Sequence, residues 1–362
     1  MSAPRRCSAS PSTLLPAIVS CLLLSGPVAA QESTPLPADT ASALVVEPER
    51  MLRFTTDEGT WISLDVSPDG RHIVFDLLGD LYTIPMEGGQ STRVTQGMAF
   101  DATPRWSPDG SAIAFISDRD GGDNLWLVRP DGSGLRKITS EVDFALGSPQ
   151  WTPDGRYLVV RRFGPYPTGE NYLTNVPLWM YHVDGGTGTR LFPQDASRKS
   201  TNTGAAFSPD GTTLYTASHD GGYAGESLGS YQVLAYDLAS GEETRLTSGS
   251  GGGLRPIASP DGRWLVYATR AGTRTALRIR DLRTHEDEWL VGETQRDDQE
   301  GYAPNDVFPG YAFTPDSRAV VFYSGGKIHR VELGTKQVEN IPFSVDVEVG
   351  LGPRLFFPKR IE

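Results

Sequence analysis

Three groups of residues in this 362-residue chain have types and spacing suited to chemistry. Gly225-Glu226-Ser227-Leu228-Gly229 matches the strained turn that presents a serine nucleophile to an acyl substrate. That turn needs a strand before it, a helix after it, and an acid and a histidine downstream. Here Tyr231-Gln232-Val233-Leu234 follows, a strand-forming run, so the segment reads as a glycine-rich surface loop. The histidines, His72, His182, His219, His285 and His329, stand singly, with no His-x-His or His-Glu-x-x-His pair of the kind that holds zinc. Asp118-Arg119-Asp120-Gly121-Gly122-Asp123-Asn124 gathers the hard oxygens that calcium takes, but its spacing is not that of an EF-hand loop and fits a hairpin turn. Both cysteines, Cys7 and Cys21, lie near the amino terminus, so the rest of the chain has no thiolate and no disulfide. The sequence therefore predicts no catalytic residue, no metal site and no cofactor.

That amino-terminal segment reads as an address. Arg5-Arg6, an apolar stretch from Leu14 to Leu24, and Val28-Ala29-Ala30 are the three parts of a secretory signal over residues 1–30, with cleavage expected after Ala30. The apolar stretch, broken by Pro16, is too short to span a bilayer. The expected location is the periplasm. Ile18-Val19-Ser20-Cys21 offers an alternative, a lipoprotein box that would place a lipid on Cys21. Residues 31–50, with Pro35, Pro37 and Pro48 among small residues, read as a flexible lead-in. The formal charge of −12, from 33 Lys and Arg against 45 Asp and Glu, disfavours a nucleic-acid partner and an anionic lipid surface.

The elements that would position any site come from a repeat. Ser67-Pro68-Asp69-Gly70 recurs as Ser107-Pro108-Asp109-Gly110, Thr152-Pro153-Asp154-Gly155, Ser208-Pro209-Asp210-Gly211, Ser259-Pro260-Asp261-Gly262 and Thr314-Pro315-Asp316-Ser317, at intervals of 40 to 56 residues. Proline presets φ, aspartate tolerates the next position, and glycine takes the left-handed conformation that closes a bulged hairpin. The leading hydroxyl caps the turn. Ser317 stands where the other copies have glycine, which predicts about 1 kcal/mol of strain. Around the second turn, Thr103–Trp106, Ile113–Ile116, Leu125–Val128 and Arg136–Thr139 read as four short strands. No segment has a convincing helical period. Six such units predict an all-β fold, a six-bladed β-propeller of four-stranded antiparallel blades over residues 51–341.

In a four-stranded meander, successive connections alternate between the two faces of the disc. The Ser-Pro-Asp-Gly turns and the third-to-fourth connections fall on one face, and all are short. The long stretches 162–176, 193–203, 218–230 and 292–307 fall on the other. They carry Phe163, Tyr166, Tyr172, Tyr223 and Tyr302, with Asp297, Asp298, Glu300 and Asp306, which makes this loop-rich face the expected binding surface. Residues 341–349 alternate like one more strand, within a terminal segment 342–362. Leu355-Phe356-Phe357 then either pairs with Leu52-Arg53-Phe54 to close the ring or leads into further domains.

The repeat, an apolar strand, Ser-Pro-Asp-Gly and another apolar strand, resembles that of the TolB family, which includes the tricorn protease propellers. Gly59-Thr60-Trp61, Phe75-Asp76-Leu77-Leu78-Gly79-Asp80-Leu81-Tyr82, Ser117-Asp118-Arg119-Asp120 with Asp123-Asn124-Leu125-Trp126, and Gly325-Gly326-Lys327-Ile328 resemble the propeller that precedes the catalytic domain of certain exported bacterial amidohydrolases. The residues and the resemblance together lead to two expectations. One is an exported, non-catalytic, monomeric propeller that binds a protein or peptide partner. The other is the front module of a larger hydrolase of amidohydrolase or tricorn type.

Overall fold

In a computed structural model of the chain, the described residues are 47–164, 176–192, 200–220, 231–299 and 306–352. They contain strands and turns and no helix, as the absence of a helical period predicts. Six antiparallel four-stranded sheets follow one another along the chain, each a meander of consecutive strands. Sheet I comprises Leu64–Val66, His72–Leu77, Asp80–Pro85 and Thr92–Arg93. Sheet II runs from Asp101–Trp106 to Arg136–Lys137, sheet III from Ala145–Trp151 to Gly185–Arg190, and sheet IV from Ser200–Phe207 to Glu243–Arg245. Sheet V runs from Leu254–Ala258 to Asp287–Val291 and sheet VI from Ala312–Phe313 to Val338–Ile341.

The sheets are too small to bury both faces alone, so each packs on its neighbours. Val74 of sheet I shares an apolar cluster with Phe115 of sheet II, Leu127 of II with Leu158 of III, and Val159 of III with Leu214 of IV. Tyr215 of IV packs with Leu265 of V, and Val266 of V with Phe322 of VI. The series closes: Leu64 and Phe75 of sheet I share a cluster with Val321 and Ile328 of sheet VI. First strands are the most buried and fourth strands the least, as in sheet II, where Asp101–Trp106 is buried throughout.

The turns repeat the same closure. In the first, the Ser67 hydroxyl donates to Asp69 at 2.6 Å and accepts the His72 N–H at 2.9 Å, while Gly70 has φ +71°. The absent side chain of Gly70 faces Pro315 of the sixth turn, and those of Gly110, Gly155, Gly211 and Gly262 face Pro68, Pro108, Pro153 and Pro209. Each turn thus nests on the one before it. Ser317 does adopt φ +58°, and its hydroxyl accepts the Asp261 N–H at 3.0 Å, a bond that glycine could not make.

One further sheet braces the seam between sheets I and VI. Arg50–Thr56 pairs antiparallel with Phe343–Leu351, placing Leu52 opposite Val349 and Phe54 opposite Val347. Phe343, Val345 and Val347 pack into the cluster shared by sheets I and VI. The partner of Leu52-Arg53-Phe54 is therefore residues 347–349. Leu355-Phe356-Phe357 lies outside the described residues.

Candidate functional site

The inner strands carry a device at the end remote from the Ser-Pro-Asp-Gly turns. In sheets II to V the first strand shifts register against the second, between Ala102 and Arg105, Gly147 and Gln150, Thr203 and Ala205, and Leu254 and Ile257. The residue five places before each turn proline there has positive φ: Thr103 +54°, Ser148 +50°, Gly204 +51° and Arg255 +41°. Such bulges re-aim side chains, and left-handed backbone at non-glycine residues persists only where the surroundings enforce it. In sheets I and VI the same slot holds Ser63 and Gly310, and the Gly310 N–H donates to the Ser63 hydroxyl at 2.9 Å.

These slots converge on the axis of the ring. Arg105 of sheet II donates to the Leu64 carbonyl at 2.9 Å and lies 3.6 Å from Asp65, both in sheet I. Arg255 of sheet V donates to the Phe308 carbonyl at 2.5 Å and lies 3.5 Å from Asp306. Arg161 of sheet III reaches the other Asp306 oxygen at 3.3 Å, and the Ser148 hydroxyl donates to Asp306 at 2.5 Å. The Tyr311 hydroxyl donates to the Arg255 carbonyl at 2.6 Å. Asp76 accepts the Ser63 and Thr103 N–H groups, each at 2.7 Å, and so ties sheet I to sheet II. Arg105, Arg161, Arg255 and Asp306 are 6%, 2%, 3% and 1% exposed, so the cluster is buried within the ring.

Burial sets the charge of this cluster. It tends to raise the Asp306 carboxyl, but Arg161, Arg255 and the Ser148 hydroxyl outweigh it and hold the group below the usual range. Burial pushes Asp76 up to about 7 against the N–H bonds it accepts, and raises Asp65 in spite of Arg105. Burial brings Arg255 down to about 10, still charged at neutral pH. Three guanidiniums therefore face one firmly ionised carboxylate and two whose charge is weakened. Where burial weakens a carboxylate, its guanidinium partner is left less fully paired, and a buried cation favours an anion beside it. The arrangement can bind and orient an anionic group. Among the described residues no cluster of three His, Cys, Asp or Glu side chains could hold a metal.

Known proteins place this architecture. Residues 46–165, from just before the brace strand to just past the second strand of sheet III, match the family model described as the TolB beta propeller domain. The chain has a β-propeller fold similar to that of TolB. An uncharacterized peptidase, YuxL of Bacillus subtilis, is 32% identical over 181 residues, which are 50% of this chain and 23% of YuxL. This chain thus spans under a quarter of that relative. The crystal structure of TolB from Acinetobacter baumannii has a TM-score of 0.59 at 20% identity, covering 79% of this chain and 66% of TolB. The tricorn protease has a TM-score of 0.56 at 16% identity, covering 78% of this chain and 26% of the protease. At those identities the likeness is one of fold.

Within this TolB-like propeller the residues expected on the loop-rich face separate into three groups. Phe163 is the last residue of the second strand of sheet III and is buried with Ala145 and Val176, its ring under the Arg161 guanidinium at 4.5 Å. Asp297 is buried too: Arg270 bonds both its oxygens and the Thr275 hydroxyl donates at 2.5 Å, which anchors the connection from sheet V to sheet VI. Asp298 is half-buried, and its N–H bonds the Val307 carbonyl. Tyr166, Tyr172, Tyr223 and Tyr302 lie outside the described residues, as does Gly225–Gly229. The acidic run 118–124 braces its own hairpin: Asp118 accepts the Phe100 N–H, Asp120 pairs with Lys137, and Asn124 bonds Thr139. His182 lies against Tyr157, and His329 stacks on Phe322, in separate sheets.

Sequence reasoning named Asp306 among the loop acids but missed Arg105, Arg161, Arg255, Asp65 and Asp76. A signal was present. Aligned on the turn proline, Asp76 and Arg161 occupy the same second-strand position, eight residues after it, where the other copies have Ile116, Ala217, Ala268 and Tyr323. A charge at an otherwise largely apolar repeat position marks a departure from pure packing.

Proposed function

We propose that this chain is an exported, non-catalytic, six-bladed propeller that binds a protein or peptide partner through its loop-rich face. One observation carries the reading: the long connections leave the ring at the end where the axial arginines cluster. The second-to-third connection of sheet III, the sheet III to IV connection, the second-to-third connection of sheet IV and the sheet V to VI connection all belong to this set. Rigid rings with long loops on one side commonly bind there. Residues 1–30 supply the export signal in this reading, and the mature chain, beginning at Gln31, works in the periplasm as a monomer. Lipidation of Cys21 would instead tether the same propeller to a membrane. No helix among the described residues is long and apolar enough to cross one.

The peptidase relative supports a second reading. YuxL is about four times longer than the segment it shares with this chain, so the propeller can also serve as the front module of a larger hydrolase. In both readings the propeller itself recognises and does not cleave. Purified protein assayed on peptide, ester and amide substrates with added zinc or manganese is expected to show no turnover. Turnover abolished by Ser227→Ala or by a chelator would overturn the non-catalytic assignment.

Photo-crosslinking tests the choice of face. A crosslinking residue at Asp298 should capture a partner in the native envelope, and one at Arg71, beside the first Ser-Pro-Asp-Gly turn, should not. Capture from Arg71 alone would contradict the proposal.

A further inference from the structure

The axis contains a point at which two cations meet and no side chain stands. A Cβ on Gly310 would lie 3.1 Å from Arg105 Nη2 and 3.2 Å from Arg255 Nη2. Arg105 and Arg255 belong to sheets II and V, three places apart in the cyclic order, so these two tips arrive from opposite sides of the ring. Each arginine spends its Nη1 on a carbonyl and a carboxylate: Leu64 and Asp65 for Arg105, Phe308 and Asp306 for Arg255. Among the described residues neither Nη2 makes a hydrogen bond. Two buried guanidinium edges with donors left over, aimed at one point, form half of a forked anion site.

We propose that Arg105 and Arg255, whose Nη2 groups meet beside Gly310, form a subsite for the carboxylate of a peptide drawn into the axis from the loop-rich face. This rests on the reading of that face as the binding surface and names the chemistry of what it takes. A carboxylate fits the charge at hand. Three guanidiniums stand beside Asp306, Asp65 and Asp76, so a monoanion disturbs the local balance less than a dianion would. The carboxylate oxygens lie past Gly310, in van der Waals contact with its Cα, and accept from the two Nη2 groups. Either a C-terminal α-carboxylate or an acidic side chain supplies that group.

The test uses labelled short peptides in matched pairs, with free-acid or amidated C-termini and with or without one glutamate, measured by fluorescence anisotropy on the whole protein. A free-acid or glutamate-bearing peptide should bind, and the version lacking any carboxylate should bind at least roughly tenfold more weakly. The pair that retains affinity identifies the carboxylate's source. Gly310→Ala is the decisive variant. Its backbone lies outside the left-handed region, and the nearest neighbours of the added methyl are the two arginine tips, at 3.1 and 3.2 Å, and Ser63 Cβ at 3.2 Å. It should keep the melting temperature and lose carboxylate discrimination. Arg105→Lys, which keeps the charge but removes the fork, should weaken discrimination in the same direction. Acetate should compete, and inorganic phosphate should not do so better. Equal binding of acid and amide forms, no binding of either, undiminished discrimination in Gly310→Ala, or preference for phosphate would each overturn the subsite. The choice of binding face is tested separately by the crosslinking above.

Discussion

The two ends of the inner strands obey opposite rules. At the turn end, six copies make the same bonds: a hydroxyl donates to the aspartate, accepts an N–H five residues on, and sits beside a left-handed residue that nests on the neighbouring turn. At the loop-rich end, the six equivalent slots hold Ser63, Thr103, Ser148, Gly204, Arg255 and Gly310. There the contacts join different sheets, and three arginines stand beside three aspartates, two of which burial pushes toward their neutral form. Repetition builds the closed scaffold, and loss of repetition marks where the six copies are free to differ. A propeller can vary one rim freely because the other holds the ring together.

Removing a charge from the axis should hurt most. Asp306→Ala leaves Arg161 and Arg255 buried without their shared carboxylate, and should cost about 3–5 kcal/mol in urea denaturation. Ser259→Ala at the turn rim removes one fully buried hydroxyl that donates to Asp261 and accepts from Trp264. It should cost about 1–2 kcal/mol. If the two losses are equal, the axial cluster is no more strongly coupled than a turn.

The rims should also respond to opposite ends of the pH scale. Asp76 keeps its proton to about 7 in the folded chain, whereas the unfolded group loses it near 3.8. The folded state binds more protons between those values, so this group's contribution to stability is complete below the lower one and is lost as pH rises through about 7. At the turns, hydrogen bonds from the leading hydroxyls lower Asp69, Asp109, Asp154, Asp210 and Asp316, Asp154 to about 2. Their contribution is present above the ordinary carboxylate pKa and disappears as pH falls. Melting curves of wild type and Asp76→Asn from pH 5 to 8 should converge toward the alkaline end, because only the wild type declines there. Parallel curves would remove Asp76 from the account.

The smallest effect belongs to the one irregular turn. Ser317→Gly relieves a left-handed serine but gives up the bond from the Asp261 N–H, so the net change should stay within about 1 kcal/mol. Ser317→Ala keeps the strain and loses the bond, and should be the less stable of the two. The reverse order would show that the sixth turn does not depend on that hydroxyl.

Much of the scaffold was legible because each of its parts recurs. The tetrapeptides gave the hairpins, and the strands expected around the second turn are found at Asp101–Trp106, Ile113–Ser117, Asn124–Val128 and Arg136–Lys137. Apart from Asp76 and Arg161, the axial cluster was not legible because it depends on bulges in the first strands. A register shift between Ala102 and Arg105 breaks the simple alternation of strand faces, so parity along the sequence could not tell which residue points to the axis. Phe163 and Asp297 looked like loop residues because their partners, Val176 and Arg270, are distant in sequence. Asp306 was visible as a loop acid, but not as the residue on which sheets III and V meet.

The central claim is that partners engage the loop-rich end of the axis and leave the turn rim free. Hydrogen exchange on the protein with and without a captured partner or carboxylate peptide tests it most directly. The account predicts added protection in segments 145–151, 254–258 and 306–313, with the turn segments around Pro68, Pro108 and Pro260 unchanged. Protection confined to those turns, with the axial segments exchanging as before, would contradict it.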